Sequence, residues 1–570
     1  MLKGIPGSSG YGIGKVLIYH TFDPVVTERH CDAGHLFEQK ESLNAALDSA
    51  KKELASIQKN LPPDKSAIFG AHIEILEDEA MLEDIKAMME HDRSSAEWAV
   101  YSVYNTYIDV LKKGANEFMR QRADDLKDIR NRIIRNLRNE PELSLSALKE
   151  PVIVAAYDLL PSHAAVIDSS KVLGFLTETG GATSHAAILA RGFGIPAVLG
   201  IPSLTKLLRD GQTAIADGFK GLVITDPDEE VLEQYRALKA DYARDLEIDR
   251  KFLNMPSETK DGVKIPVSLN IGSSELPENA EFCDGIGLFR SEFLYMEKDA
   301  LPDEQTQYAA YASVLRKMGG RPVILRTLDI GGDKTLPYID LEKEQNPFLG
   351  NRAIRLCLSR EALFRTQLRA ALRALPHGNL NIMFPMIGSV EDFRKAKAVA
   401  DSVWEELRGE GFPLERRVPL GIMVEIPAAA LAADFLAKEA DFASIGTNDL
   451  CQYAFAADRM NPAVAEYAHP LSAPMLRLIR QTVQAFEAQN KPVSVCGEMA
   501  GDKNAVHLLV GSGIRKLSVS ASALGTVKRY LRACTISDCK TLFEKSVNCA
   551  TEKEILELVS LFRQENGALQ

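Results

Sequence analysis

Between His35 and Leu61 the apolar positions Leu43, Leu47, Ala50, Leu54, Ile57 and Leu61 recur with gaps of 4, 3, 4, 3 and 4. That spacing lays a single apolar seam along an amphipathic helix. The run Leu61-Pro62-Pro63-Asp64 breaks it. Helix-compatible stretches follow over about 66–91, 94–120 and 122–138, so residues 30–140 read as an all-helical unit. The chain before it, residues 1–20, is glycine-rich and strand-like. From Pro151 the pattern changes to short β-branched runs at 151–156, 171–176 and 221–224, bounded by turns and separated by helical stretches. This is α/β material. A charged helix then runs from Asp226 to about Asn254, with Leu232, Tyr235, Leu238, Tyr242 and Leu246 on one stripe. Its acidic start suits a helix N-terminus, and its length suits a stiff linker.

Beyond Pro256 eight strand-like runs appear, at 266–270, 285–289, 323–326, 382–385, 421–425, 442–446, 493–496 and 516–519. Helix-compatible segments separate most of them. Eight β/α units in the C-terminal half predict a (β/α)8 TIM barrel, with functional residues at the C-terminal strand ends. No internal repeat interrupts the series.

Composition narrows the function classes. The chain has 570 residues, 46% hydrophobic and 26% charged, with a formal net charge of −12. It is long enough for several cores. The acidic balance argues against a general nucleic-acid binder or an anionic-membrane protein. No apolar run approaches a membrane span, and the N-terminus lacks a signal-peptide core. The eight cysteines, scattered without metal-ligand spacing, read as reduced thiols of a cytoplasmic protein.

Two groups of residues carry candidate chemistry. The first is Thr179-Gly180-Gly181-Ala182-Thr183-Ser184-His185-Ala186-Ala187-Ile188-Leu189-Ala190-Arg191, a glycine turn between a strand and a helix. Glycines admit a phosphate, and the helix N-terminus favours an anion. His185, in the first turn, can take a phosphoryl group on a ring nitrogen, with Thr183 supporting it. The second group lies at barrel strand ends. Arg290 and Arg326 can hold a phosphate, with Lys334 and Arg352 close behind in sequence. Glu425 and Asp449 can hold a hard cation with substrate oxygens. Arg459 can bind an anionic substrate, and the thiol of Cys496 can move a proton.

The segment GGATSHAAILAR closely resembles the phosphohistidine signature of the phosphoenolpyruvate-utilising enzymes. These include Enzyme I of the bacterial sugar phosphotransferase system, pyruvate phosphate dikinase and phosphoenolpyruvate synthase. The barrel motifs and their order resemble that family too. The helical insertion, and the absence of room for an ATP-binding region, narrow the resemblance to the Enzyme I branch. It covers nearly the whole chain and is densest in the motifs.

The resemblance implies a multi-domain α/β protein. Residues 1–28 and 141–228 would form a swivelling phosphohistidine domain, and 29–140 an inserted helical domain that binds the carrier HPr. A linker helix would span 229–255, and 256–570 would be a phosphoenolpyruvate-binding TIM barrel through which members dimerise. It implies His185 as the phosphohistidine, Cys496 as proton donor, and Mg²⁺ on Glu425 and Asp449. Arg290, Arg326, Asn448, Asp449, Arg459, Lys334 and Arg352 would meet the substrate. HPr would dock near Ile68, Phe69, His72 and the Arg122–Arg130 stretch. One departure stands out: Ala182 occupies the position where the branch is expected to carry arginine. Two other readings remain open at this stage. One is a barrel lyase or kinase acting on pyruvate-type substrates, which leaves the His185 turn unexplained. The other is an idle docking protein, against which the intact candidate set argues.

Overall fold

The computed structural model describes residues 1–570 apart from 20, 21, 23, 33, 60–62, 114–116, 141–144, 146, 147, 149, 160–166, 182, 183, 297–299, 333–335, 337, 340–343 and 567–570. Two compact units emerge, Met1–Asp245 and Leu246–Gln570.

In the first unit the glycine-rich start forms β1 (Leu2–Lys3), β2 (Ile5–Ser8) and β3 (Tyr11–Tyr19). The chain then leaves for the helices α1 (Leu36–Lys59), α2 (Pro63–Leu76), α3 (Glu79–His91), α4 (Ala96–Lys113) and α5 (Glu117–Leu137). It returns through β4 (Val152–Ala156) and β5 (Val172–Thr177), then α6 (His185–Phe193), β6 (Ala197–Leu199), β7 (Thr213–Asp217) and β8 (Leu222–Thr225). The sheet order is β1-β8-β7-β3-β4-β5-β6-β2. Its central strands β3 to β6 run parallel, and β7, β8, β1 and β2 pair antiparallel. Strands β4 and β5 are buried almost throughout, as parallel strands covered on both faces must be. Separate apolar clusters flank the sheet.

The helices have a core of their own, in which Leu43, Ala50 and Leu54 of the α1 seam meet Ile85, Val100, Ile129 and Ile133. The seam runs short of its expected end: α1 stops at Lys59, and Leu61 lies outside the described residues. The expected helix over 66–91 is two helices. Asp78 caps α3, its carboxylate accepting Met81 N–H at 2.9 Å, and this local bond stops the preceding helix. The charged helix is α7 (Glu229–Phe252). Its Tyr235 hydroxyl donates to Asp217 at 3.1 Å, and Tyr242 packs edge-on to Tyr11 and Phe219.

The second unit is a closed barrel of parallel strands: β9 (Val267–Ile271), β10 (Ile286–Arg290), β11 (Pro322–Arg326), β12 (Asn379–Phe384), β13 (Leu420–Val424), β14 (Phe442–Ile445), β15 (Val493–Val495) and β16 (Leu517–Val519). All eight expected strands are present, and β16 closes on β9 with Leu517 opposite Val267. Inside the barrel Leu288, Ile324, Met383, Met423, Phe442 and Cys496 form one cluster, so the interior is packed rather than open. Among the described residues no helix is long and apolar enough to cross a membrane.

Candidate active site

The barrel candidates converge because parallel strands present their C-terminal ends together. Arg290 and Arg326 are the last residues of β10 and β11. Glu425 follows β13, Asn448 and Asp449 open the helix after β14, and Cys496 follows β15. Gly446 makes room between them: a Cβ there would lie 3.0 Å from Glu425 Oε2.

The charged groups interlock. Arg326 is buried and bonded to Glu292, and its Nη1 lies 2.9 Å from Asp329 Oδ2. Arg352 Nη2 lies 2.9 Å from Asp329 Oδ1 and 3.7 Å from Asp449 Oδ2, while its Nη1 donates to Tyr453 at 3.2 Å. Burial alone would strip protons from these two guanidiniums. The carboxylates outweigh it and hold both pKa values above their ordinary range, Glu292 and Asp329 acting on Arg326 and Asp329 and Asp449 on Arg352. Arg459 Nη1 lies 3.2 Å from Asp449 Oδ1, at the exposed edge of the cluster. Arg290 is exposed and has no ion pair among the described residues.

Glu425 bears the excess negative charge. It is 1% exposed and its Oε1 accepts Met386 N–H at 2.6 Å. Burial, with Asp449 and Asp329 nearby, pushes its pKa up to about 8 despite Arg326 and Arg352. Asp449 Oδ1 is buried with no hydrogen-bond donor, although Arg459 stands beside it. Four buried carboxylates (Glu292, Asp329, Glu425 and Asp449) face two buried guanidiniums, a surplus that a divalent cation would complement. Asn448 Oδ1 accepts Glu498 N–H at 2.9 Å, fastening the β14 and β15 loops together. Cys496 is 3% exposed, and burial pushes its thiol up to about 11, so the sulfur keeps its proton near neutrality. A cavity of about 640 Å³, lined by Asn381, Phe442, Ser494 and Lys516 among others, opens at the opposite strand ends, away from these groups.

In the first unit His185 is the first residue of α6. Ser184 caps that helix, its hydroxyl accepting Ala187 N–H at 3.4 Å, and Gly194 ends it in the left-handed conformation. Gly180 has φ +92°, and a Cβ there would meet Ser184 Oγ at 2.8 Å, so the turn needs glycine twice over. Arg191 Nη1 donates to Gly7 O at 2.9 Å and ties the last turn of α6 to β2. Ala182, Thr183 and Lys334 lie outside the described residues, as do the side chains of His185 and Ile68.

The carrier-docking expectation needs correction at two residues. Phe69 and His72 are each 1% exposed, inside the helical core rather than on its surface. His72 Nε2 lies 3.1 Å from Asp125 Oδ1, and its Nδ1 3.7 Å from Asp128 Oδ2, so its polar atoms face inward. The sequence reading also missed Glu292 and Asp329, the acids that hold the arginines. Their signal was their spacing, two residues beyond Arg290 and three beyond Arg326.

Three family models match the chain in order. They are PEP-utilising enzyme, N-terminal, over residues 3–122; PEP-utilising enzyme, mobile domain, over 148–221; and PEP-utilising enzyme, PEP-binding domain, over 247–536. Relatives named phosphoenolpyruvate-protein phosphotransferase match it nearly end to end. That of Staphylococcus carnosus is 41% identical over 566 residues, covering 98% of each chain. That of Listeria innocua is 40% identical over 570 residues, covering 99% of each. A solution structure of Enzyme I (nEIt) aligns with 43% of this chain and 100% of its own, at 35% identity and a TM-score of 0.39. With such identity across almost the whole of both chains, this chain belongs to the phosphoenolpyruvate-protein phosphotransferases, a family of PEP-utilising enzymes.

Proposed function

We propose that this chain moves the phosphoryl group of phosphoenolpyruvate to His185, releases pyruvate, and passes the group to a histidine of the carrier protein HPr, the first step of sugar uptake by the phosphotransferase system. The charged cluster at the barrel strand ends carries the reading. Exposed Arg290 and Arg459 are available to the phosphate and carboxylate of the substrate, with Arg326 and Arg352 held charged behind them. Asn448, its carbonyl already engaged, offers its amide donors, and Lys334 and Thr183 are assigned supporting roles.

Glu425 and Asp449 fit Mg²⁺, a cation that takes one or two carboxylates and fills its remaining positions with water and substrate oxygens. When bound, the ion supplies charge stabilisation at the phosphoryl oxygens. A ring nitrogen of His185 bonds to phosphorus as the bond from phosphorus to the enol oxygen breaks. The released electron pair becomes the enolate, and the Cys496 thiol gives its proton to the terminal carbon to form pyruvate. The thiolate then recovers a proton from water.

Two stations are needed, one for phosphoenolpyruvate and one for HPr. We assign 1–28 with 141–228 to the swivelling domain, 29–140 to HPr binding, 229–255 to the linker and 256–570 to the barrel. The helices lie between β3 and β4 in the chain and have their own core, which supports that division. Exposed Leu431 and Phe435 support a homodimer through the barrel. The free state of all eight cysteines supports a cytoplasmic setting.

Labelled phosphoenolpyruvate with Mg²⁺ tests the reading. The wild type should take up acid-labile, base-stable label that HPr discharges, and His185→Ala should take up none. A wild type that stays unlabelled removes the phosphotransferase reading.

A further inference from the structure

We infer that Cys534 and Cys539 are a modification site, a buried dithiol that hydrogen peroxide converts to an intramolecular disulfide before the thiol of Cys496 is touched. Cys534 lies in the turn between the helices Leu524–Arg532 and Ile536–Ser546, and Cys539 in the first turn of the second. The Cys539 thiol donates to Cys534 Sγ across 3.0 Å. A disulfide is about 2.0 Å long, so closing it takes about 1 Å of side-chain movement. The turn is held for that approach by a capping box, Thr535 and Asp538 each bonding the other's backbone.

A third group prepares the nucleophile. His507 Nε2 lies 2.9 Å from Tyr530 O, and a carbonyl can only accept, so the ring proton sits on Nε2. Nδ1 is then a lone pair, buried and without a hydrogen-bond partner, on a ring that interacts with the Cys534 sulfur. While protonated, that sulfur lies 3.5 Å from Leu531 O and 3.7 Å from Tyr530 O. The Cys539 hydrogen bond first, and then His507, push Cys534 down against the effect of burial. Cys539, donating to that sulfur and buried, is pushed up. One thiol is thus the attacking sulfur and the other the resolving one, the division of labour a sensor pair needs. Cys496 has the opposite setting, its thiol raised by burial.

Both cysteines are fully buried, in a turn whose flanking residues reach the surface. Ser537 is exposed and Ala533, Thr535, Ile536 and Asp538 are half-buried around them. Peroxide is small enough to reach such a layer through local opening. The Cys534 thiol gives its proton to the Nδ1 lone pair of His507, the thiolate attacks one peroxide oxygen, the O–O bond breaks, and the hydroxide that leaves takes that proton back to become water. Cys539 then attacks the sulfenic sulfur, its own proton leaving with the hydroxyl as a second water. Two thiols are oxidised by two electrons, and one peroxide is reduced to two waters.

The test is a covalent readout, separate from phosphotransfer. The full-length protein is treated with hydrogen peroxide, quenched with catalase, denatured, alkylated with iodoacetamide and cut with trypsin. Cleavage after Arg532 and Lys540 leaves both sulfurs in one peptide, residues 533–540. We expect that peptide unalkylated and lighter by two hydrogens, restored by dithiothreitol, while the Cys496 peptide is still fully alkylated. Cys539→Ser should instead leave a sulfenic acid on Cys534 that dimedone traps. His507→Gln, checked for folding by circular dichroism, should slow the loss of free thiol roughly tenfold. A peptide 533–540 that stays doubly alkylated while Cys496 oxidises, or a Cys534 that passes to sulfinic acid without a disulfide, overturns the inference.

Discussion

The barrel mouth and the His185 turn solve different problems with different materials. The mouth packs Glu292, Asp329, Glu425, Asp449, Arg326 and Arg352 out of water, with Arg326 paired to Glu292 and Asp329, Arg352 paired to Asp329 and Asp449, and Glu425 in excess. The turn is built from Gly180, Gly181 and a serine cap on a helix N-terminus. Buried charges are expensive unless paired, so the mouth is an over-determined network on strands that cannot shift independently. The turn depends on backbone shape instead, where one added methyl group matters more than one charge. Charge for the phosphoryl group to leave is stored in one unit, and the proposed acceptor is presented by the other.

The largest test of that contrast is at Cys496. Cys496→Ala should lower the rate of pyruvate formation by about 10²–10⁴ while leaving the melting curve nearly unchanged. Stopped-flow pyruvate release measures it, and a rate within a few fold of wild type would remove the thiol from the reaction. Glu425→Gln should cost about 10²–10³ in the same assay, since it removes an acid assigned to the cation.

The same substitution should act in the opposite sense on stability. The ordinary carboxyl value is 4.5 and the folded value is about 8. A raised folded value means that the folded state keeps a proton the unfolded chain has lost. The contribution of Glu425 is therefore fully present below pH 4.5 and is lost as pH rises through about 8. Without divalent cations the thermal midpoint of the barrel should fall across that window in the wild type and stay flatter in Glu425→Gln. Added Mg²⁺ should raise the wild-type midpoint at the alkaline end and leave the variant little changed. Calorimetry at fixed ionic strength decides it.

Breaking a pair at the mouth should cost more stability than reshaping the turn. Arg326→Met takes the guanidinium from the buried carboxylates of Glu292 and Asp329 and should destabilise the barrel by about 3–5 kcal/mol. Gly180→Ala, at φ +92° and against Ser184, should cost about 1–3 kcal/mol in the Met1–Asp245 unit alone. Denaturant melts followed by hydrogen exchange separate the two. Equal losses in both units would erase the contrast.

Much of the barrel was legible because its strands are apolar runs between turns. Only β12 starts well before its run: Asn379 and Asn381 are polar, yet they pair in register with Pro322 and Ile324. In the other unit β6 is short, and β7 ends on Asp217, so neither stands out as a hydrophobic run. The strand-end arginines and acids could be read one at a time. Glu292 and Asp329 could not, since an acid near an arginine in sequence is ordinary until the strands bring it beneath a guanidinium. Phe69 and His72 show the converse. Helical spacing gives a stripe but not its partner, and a histidine between Asp125 and Asp128 packs inward once those acids arrive from another helix.

By itself the sequence determined the local matters: where helices start, where glycine alone fits, how many β/α units there are, and which residues end each strand. Those follow from backbone sterics and from the period of apolar positions, interactions among near neighbours. Only the tertiary structure decided which charges share a dielectric environment. Glu425 is pushed towards its neutral form and Arg326 is held charged because burial and neighbours distant in the chain change the energy of a proton. Electrostatic energy depends on distance in space, and that distance exists only after the barrel has closed.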